Sequence, residues 1–163
     1  MKKVLIFVLS ILTQFGYSKN FNGILGVRFG DNKNTVIEKF DTTGWKINVS
    51  NQFVFCKKKR KYFLGQKISS LSFKCSDDKV HSILVTFPKS KINNIYKMGQ
   101  LLKLIIDKYN FRLVQTEKSF HNRCYIYQTD KVLLVAHATR DKGVVFNFSD
   151  IKLLKKLKDE EFL

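Results

Sequence analysis

LSFKCSDDKVHSILVTF, residues 71–87, places apolar side chains at every second position on both sides of a polar turn. Leu71, Phe73 and Cys75 alternate with polar residues before Ser76-Asp-Asp-Lys79, and Ile83, Val85 and Phe87 alternate after it. Extended backbone points successive side chains to opposite sides, so this stretch predicts two half-buried antiparallel strands joined by a tight turn. The same period runs upstream through Ile47, Val49, Phe53 and Phe55, read here as strand residues facing the core. Pro88, the only proline, closes the meander.

Working outward, the period changes. Residues 23–29 form a short strand, and Val36, Ile37 and Phe40 then recur with helical spacing. Asp31 or Asn32 is the expected cap, and Asp41-Thr-Thr-Gly44 ends the helix. Beyond Pro88, Ile95, Met98, Leu102, Ile105 and Tyr109 mark an amphipathic helix with Lys97, Gln100, Lys103 and Asp107 on its other side. Strands follow at 111–117, at 124–129 continuing through 132–137, and at 144–148. Ser149 or Asp150 then caps a last helix carrying Leu153, Leu154 and Leu157. The order β-α-β-β-β-α-β-β-β-α predicts an α+β fold of antiparallel meanders with helices on one face. Helix followed by three strands occurs twice, which suggests pseudo-duplication, although no residue-level repeat accompanies it.

The chain begins MKKVLIFVLSILTQFGYS. Lys2 and Lys3, an apolar run from Val4 to Leu12, and small residues at Gly16 and Ser18 match a secretory signal peptide cleaved after Ser18. Gln14 ends the run well short of the roughly 20 apolar residues of a spanning helix. Residues 1–18 are therefore expected to be a leader and 19–163 a single α+β domain, exported to the periplasm or beyond. No cysteine precedes Cys56, so no lipid anchor is expected at the cleavage point.

Gly26-Val-Arg-Phe-Gly30 running into a polar-capped helix resembles the opening of small secreted bacterial α+β proteins of uncharacterised function. Phe63-Leu-Gly65 before the strand at Leu71, Lys108-Tyr-Asn110 at a helix end, and Phe148-Ser-Asp150 at a helix start extend that resemblance over most of residues 19–163. It implies a compartment and a fold. It transfers no catalytic residue.

Net charge is +17 and falls by two if the leader is removed. Such an excess favours anionic partners. Yet lysines outnumber arginines 25 to 5, and the only alanines are Ala136 and Ala138. That composition fits an AT-rich genome, which raises lysine throughout without selection for binding. The densest cluster is Lys57, Lys58, Lys59, Arg60 and Lys61, flanked by Phe53, Phe55, Tyr62 and Phe63. It reads as a solvated hairpin loop and as the candidate contact for an acidic protein or an anionic envelope surface. Nucleic acid is not an expected partner.

Other chemistry is thin. Gly23, Gly26 and Gly30 lack the Gly-Lys-Ser/Thr ending of a phosphate loop and the Gly-x-Gly-x-x-Gly spacing of a dinucleotide site. Cys56, Cys75 and Cys124 allow at most one internal disulfide, and unpaired burial is the expected state. His121 and Cys124 are too few for a closed metal site, and no acid pair stands out. No metal, cofactor or catalytic residue is assigned. The expected function is a non-enzymatic exported protein acting by contact, in its sharper form an inhibitor or immunity-type protein. The alternatives are a secreted hydrolase assembled from distant residues and a binder of anionic lipid or glycan.

Overall fold

The computed structural model describes residues 21–58, 61–90, 93–118, 122–139 and 143–161, so the expected leader lies outside the described residues. In chain order the elements are β1 (Gly23–Ile24), β2 (Val27–Arg28), α1 (Lys33–Asp41), β3 (Lys46–Val49) and β4 (Phe53–Lys57). Next come β5 (Tyr62–Phe63), β6 (Gln66–Lys67), β7 (Ser70–Ser76), β8 (Lys79–Phe87) and α2 (Asn94–Tyr109). The chain continues with β9 (Arg112–Lys118), β10 (Asn122–Gln128), β11 (Val132–Thr139), β12 (Gly143–Asp150) and α3 (Ile151–Glu161). The fold is mixed α+β and dominated by one antiparallel sheet of eight strands, ordered β3-β4-β7-β8-β12-β11-β10-β9.

That order corrects the expected one. The first strand, 23–29, is a two-stranded hairpin, and each large meander has four strands where three were read. The segment after β4 is not a simple loop, because the hairpin β5–β6 is inserted before β7. In outline, a helix followed by four meandering strands occurs twice, and the two meanders meet where β8 pairs with β12.

One lateral row shows why the sheet folds as it does. Val49, Val54, Phe73, Ile83, Phe148, Leu134, Tyr127 and Leu113 are successive cross-strand partners through all eight strands. All are apolar or aromatic and all point to one face. The middle members are fully buried, while Val49 and Leu113, on the two edges, are 45% and 56% exposed. Helices α1 and α2 cover this face. Phe40 of α1 lies 5.3 Å from Phe73, ring centre to ring centre, and Ile95, Leu102 and Ile106 of α2 share a cleft with Tyr125 and Tyr127.

The helix ends follow local chemistry. Asn32 caps α1, its side chain accepting from Asn34 N–H at 2.9 Å. Asn93 caps α2 by accepting from Ile95 and Tyr96 N–H. Asn110 closes α2 in the left-handed conformation, φ 54°, with its N–H donating to the Ile106 carbonyl. Asp150 caps α3 by accepting from Leu153 N–H at 3.0 Å. Three hairpin turns, at Leu25-Gly26, Leu64-Gly65 and Asp77-Asp78, have positive φ at both central residues. That pattern matches the right-handed twist of the flanking strands.

The parity of β4 is the main correction inside the sheet. Val54 and Cys56 point into the core, whereas Phe53 and Phe55 point to the opposite face and are 37% and 40% exposed. Parity predicts unequal costs for the same new residue. Val54→Asp buries a carboxylate without a partner and should cost about 3 kcal/mol or more, while Phe55→Asp leaves its carboxylate at the surface and should cost well under half of that. Urea titration of the two variants measures the difference, and equal losses would place β4 in the wrong register.

Candidate functional site

The opening glycine segment is consumed by structure. Arg28 N–H donates to the Asp31 carboxylate at 2.8 Å, Gly30 N–H to the Val80 carbonyl at 2.7 Å, and Lys33 N–H to the Asp78 carbonyl at 2.7 Å. Asn34 N–H is taken by the cap and Arg28 N–H by Asp31, while the Gly30 and Lys33 donors fasten the start of α1 to the β7–β8 hairpin. They form no cradle for phosphate.

The described part of the basic run divides between two sides of β4. Lys57 ends β4 on the outer face of the sheet, the face opposite α1 and α2, directly across from Lys46. Lys58 points the other way, and its ammonium donates to the Thr43 carbonyl. Lys61 lies over the Trp45 ring, 5.9 Å from its centre. Lys59 and Arg60 lie outside the described residues. The three described cations therefore do not share one surface.

What the outer face gathers instead is a mixed patch that the linear reading missed. Lys46 and Lys57 form a like-charged cross-strand pair, and neither has a hydrogen bond or ion pair among the described residues. Beside them, Phe55 pairs with Asn48 and Ser72, and Phe53 pairs with Lys74, whose ammonium sits 5.9 Å from the ring centre. Like charges directly opposite each other destabilise an isolated pair. Strands β3, β4, β7 and β8 contain no Asp or Glu to offset them. Away from this patch the outer face continues through Leu84, Asn147, Val135 and Ile126, all half-buried.

A second feature lies at the end of the outer face near α3. The β7–β8 register slips between Lys74 and Cys75, leaving His81 as the extra residue of a bulge. His81 is 4% exposed, and its Nδ1 is 3.0 Å from Ser82 Oγ, which is 2.8 Å from Ser149 Oγ. Leu153 and Leu157 of α3 line a cleft of about 110 Å³ with His81, Asp77 and Lys79. A hydroxyl–imidazole chain resembles nucleophile activation. Here, however, both hydroxyls are buried, and His81 has no carboxylate partner among the described residues. The chain satisfies buried polar groups under α3, as burial demands.

Burial and the nearby Lys74 ammonium hold His81 below its ordinary pKa of 6.5. The unfolded chain takes up this proton more readily, so stability is full above pH 6.5 and is lost as pH falls from there through the depressed folded value. The melting temperature should therefore decline between pH 7 and pH 5, and His81→Gln should flatten that part of the profile. An unchanged slope in the variant would remove His81 as its cause.

The cysteines are all free, Cys56 and Cys75 buried and Cys124 half-buried. Cys56 pairs with Leu71, while Cys75 lies further along β7 opposite Val80. Burial pushes the Cys56 thiol up to about 12. Cys124 stands between Glu117 and His137 in the cross-strand register on the outer face. Burial and the Glu117 carboxylate raise its pKa, the opposite of what an activated thiol needs. His121 lies outside the described residues. Among the described residues no group of three His, Cys, Asp or Glu side chains could hold a metal. Thiol titration should find three reactive groups after denaturation, and before it no more than slow reaction at Cys124.

A cleft of about 420 Å³ opens where α2 runs into β9, lined by Tyr109, Arg112, Gln128, Asp130 and Lys131 among others. The Thr129 hydroxyl there is held in its turn by Val132 and Lys131 N–H. No helix among the described residues is long and apolar enough to cross a membrane. No protein-family model, curated protein or solved structure matches this chain.

Proposed function

We propose that this chain is an exported, non-enzymatic protein that acts by contact with an acidic protein or an anionic envelope surface. The basic, leader-like amino terminus supports export. The observation carrying the contact reading is the outer-face patch of Lys46, Lys57, Lys74, Phe53 and Phe55 on strands without a carboxylate. Exposed aromatic area supplies contact energy, and the surrounding ammonium groups supply long-range attraction and orientation. The basic run contributes through Lys57, while Lys58 and Lys61 serve the fold on the other side of β4.

Bulk charge alone would also draw this protein to anions, so the test separates position from total. Lys46, Lys57 and Lys74 are changed together to Gln in one variant. In the control the exposed Lys103, Lys152 and Lys155 are changed instead. Retention on phosphatidylglycerol vesicles and on immobilised polyglutamate is measured against salt. The sheet-face variant should lose retention at low ionic strength while the control keeps it, and retention of both should weaken as salt rises. Equal losses in the two variants would overturn the reading.

A further inference from the structure

The β3 edge carries directional information that charge alone does not. Ser50 N–H donates to the Phe53 carbonyl at 2.8 Å across the β3–β4 turn, so these two residues turn their backbone groups toward each other. Facing and averted pairs alternate along an antiparallel ladder. Asn48 and Lys46 therefore bond to β4, and Ile47 and Val49 turn their N–H and C=O groups outward. The far side of β4 has the matching parity, since Cys75 N–H donates to the Gln52 carbonyl at 2.7 Å. Trp45, the preceding residue of outward parity, already donates to the Phe40 carbonyl at 3.1 Å. The N–H groups of Ile47 and Val49 have no such acceptor among the described residues.

The two sheet edges are unlike. On β9 the register slips at Val114, and Arg112 and Glu117 provide both signs of charge, which are devices that blunt an edge against pairing. On β3 the register with β4 is unbroken, the outer-face charge is of one sign, and Val49 is exposed on the helix-bearing face.

We propose that β3 accepts an extended acidic segment of a partner protein as a ninth strand of the sheet. This rests on the contact reading above and names the partner's chemistry. The segment places apolar side chains beside Ile47 and Val49 on the helix-bearing face. Its carboxylates stand beside Lys46 on the outer face, supplying the counter-charge that the Lys46–Lys57 row lacks. A lipid headgroup or a nucleic-acid phosphate satisfies the lysines but leaves the outward backbone groups and Val49 unmatched. A peptide strand offers alternating donors and acceptors together with side chains on both faces at the spacing of β3.

The probe is a fluorescein-labelled octapeptide of alternating Glu and Val, followed by fluorescence anisotropy. Its analogue, N-methylated along one edge, keeps the charge and loses the strand donors. The peptide should bind, and N-methylation should weaken it by roughly tenfold or more, the loss expected for two or more unmade hydrogen bonds. Lys46→Glu with Lys57→Glu should weaken it similarly, and the Lys103, Lys152 and Lys155 control should not. Ile47→Pro removes one outward donor without breaking the β3–β4 ladder and should weaken binding. If that variant melts early, the N-methylated peptide on the unaltered protein still decides. Equal binding of methylated and unmethylated peptide would overturn strand addition. If the peptide fails while vesicle retention still depends on Lys46, Lys57 and Lys74, strand addition is overturned and the contact reading stands. Loss of both overturns both.

Discussion

Phe148 sits at the seam of the molecule. It lies on β12 opposite Ile83 of β8, where the two four-stranded meanders become one sheet. Its ring stacks on Phe21 at 4.2 Å and nearly parallel, tying down the segment before the first hairpin. Phe63 of the β5–β6 insertion and Phe111 at the exit from α2 reach the same ring, at 6.2 and 6.3 Å. Four parts of the chain far apart in sequence thus converge on one fully buried aromatic. Each pair adds only about 0.5–1.5 kcal/mol beyond area burial, but their common partner makes them cooperative. Losing the β8–β12 seam would separate the meanders and expose the core row at its centre.

The seam also determines what is left over. With α1 and α2 committed to the face that contains Phe148, the opposite face has, among the described residues, only α3, over its His81 end. The side chains there must tolerate water, and in the central strands β7, β8, β12 and β11 most of the described ones are half-buried. Phe53 and Phe55 depart from that rule. A large aromatic side chain that leaves more than a third of its surface wet forgoes a corresponding share of its burial energy. Their position beside a like-charged lysine pair is therefore a feature of the surface, not of the core.

Much of the architecture was legible because periodicity, caps and turns agree locally. Residues 71–87 fold as the alternation implies, Asn110 closes α2 as a left-handed cap, and Asp150 starts α3. The face assignment of β4 was not legible. In Phe53-Val-Phe-Cys56 every residue is apolar, so a period of two has no contrast to report and either parity fits. The β5–β6 hairpin has two-residue strands, too short for any period. The surface patch was hidden for a different reason. Lys46 and Lys57, Phe53 and Lys74, and Ser82 and Ser149 are neighbours only through cross-strand register, and register is a property of the whole sheet. The basic run was visible as a sequence cluster, yet Lys57 ends β4 on the outer face while Lys58 and Lys61 reach Thr43 and Trp45 on the other side.

The lysine surplus can now be divided by what each ammonium group does. Lys33, Lys39, Lys58 and Lys97 donate to the carbonyls of Asn51, Gly26, Thr43 and Pro88, closing loops that a shorter side chain would leave open. In those places a long flexible donor is useful whatever its charge, so enrichment by composition has been absorbed into structure. Among the described residues Lys46 and Lys57 donate to no carbonyl and instead face each other across an edge hairpin. A compositional surplus of lysine would raise the number of such residues everywhere. It does not account for an uncompensated pair beside two exposed phenylalanines on an edge whose register is unbroken. An isolated edge lysine repels neighbouring strands indiscriminately. A pair flanked by apolar surface repels most segments but rewards one bearing carboxylates in the right phase, so the arrangement that protects the free edge also selects what can join it.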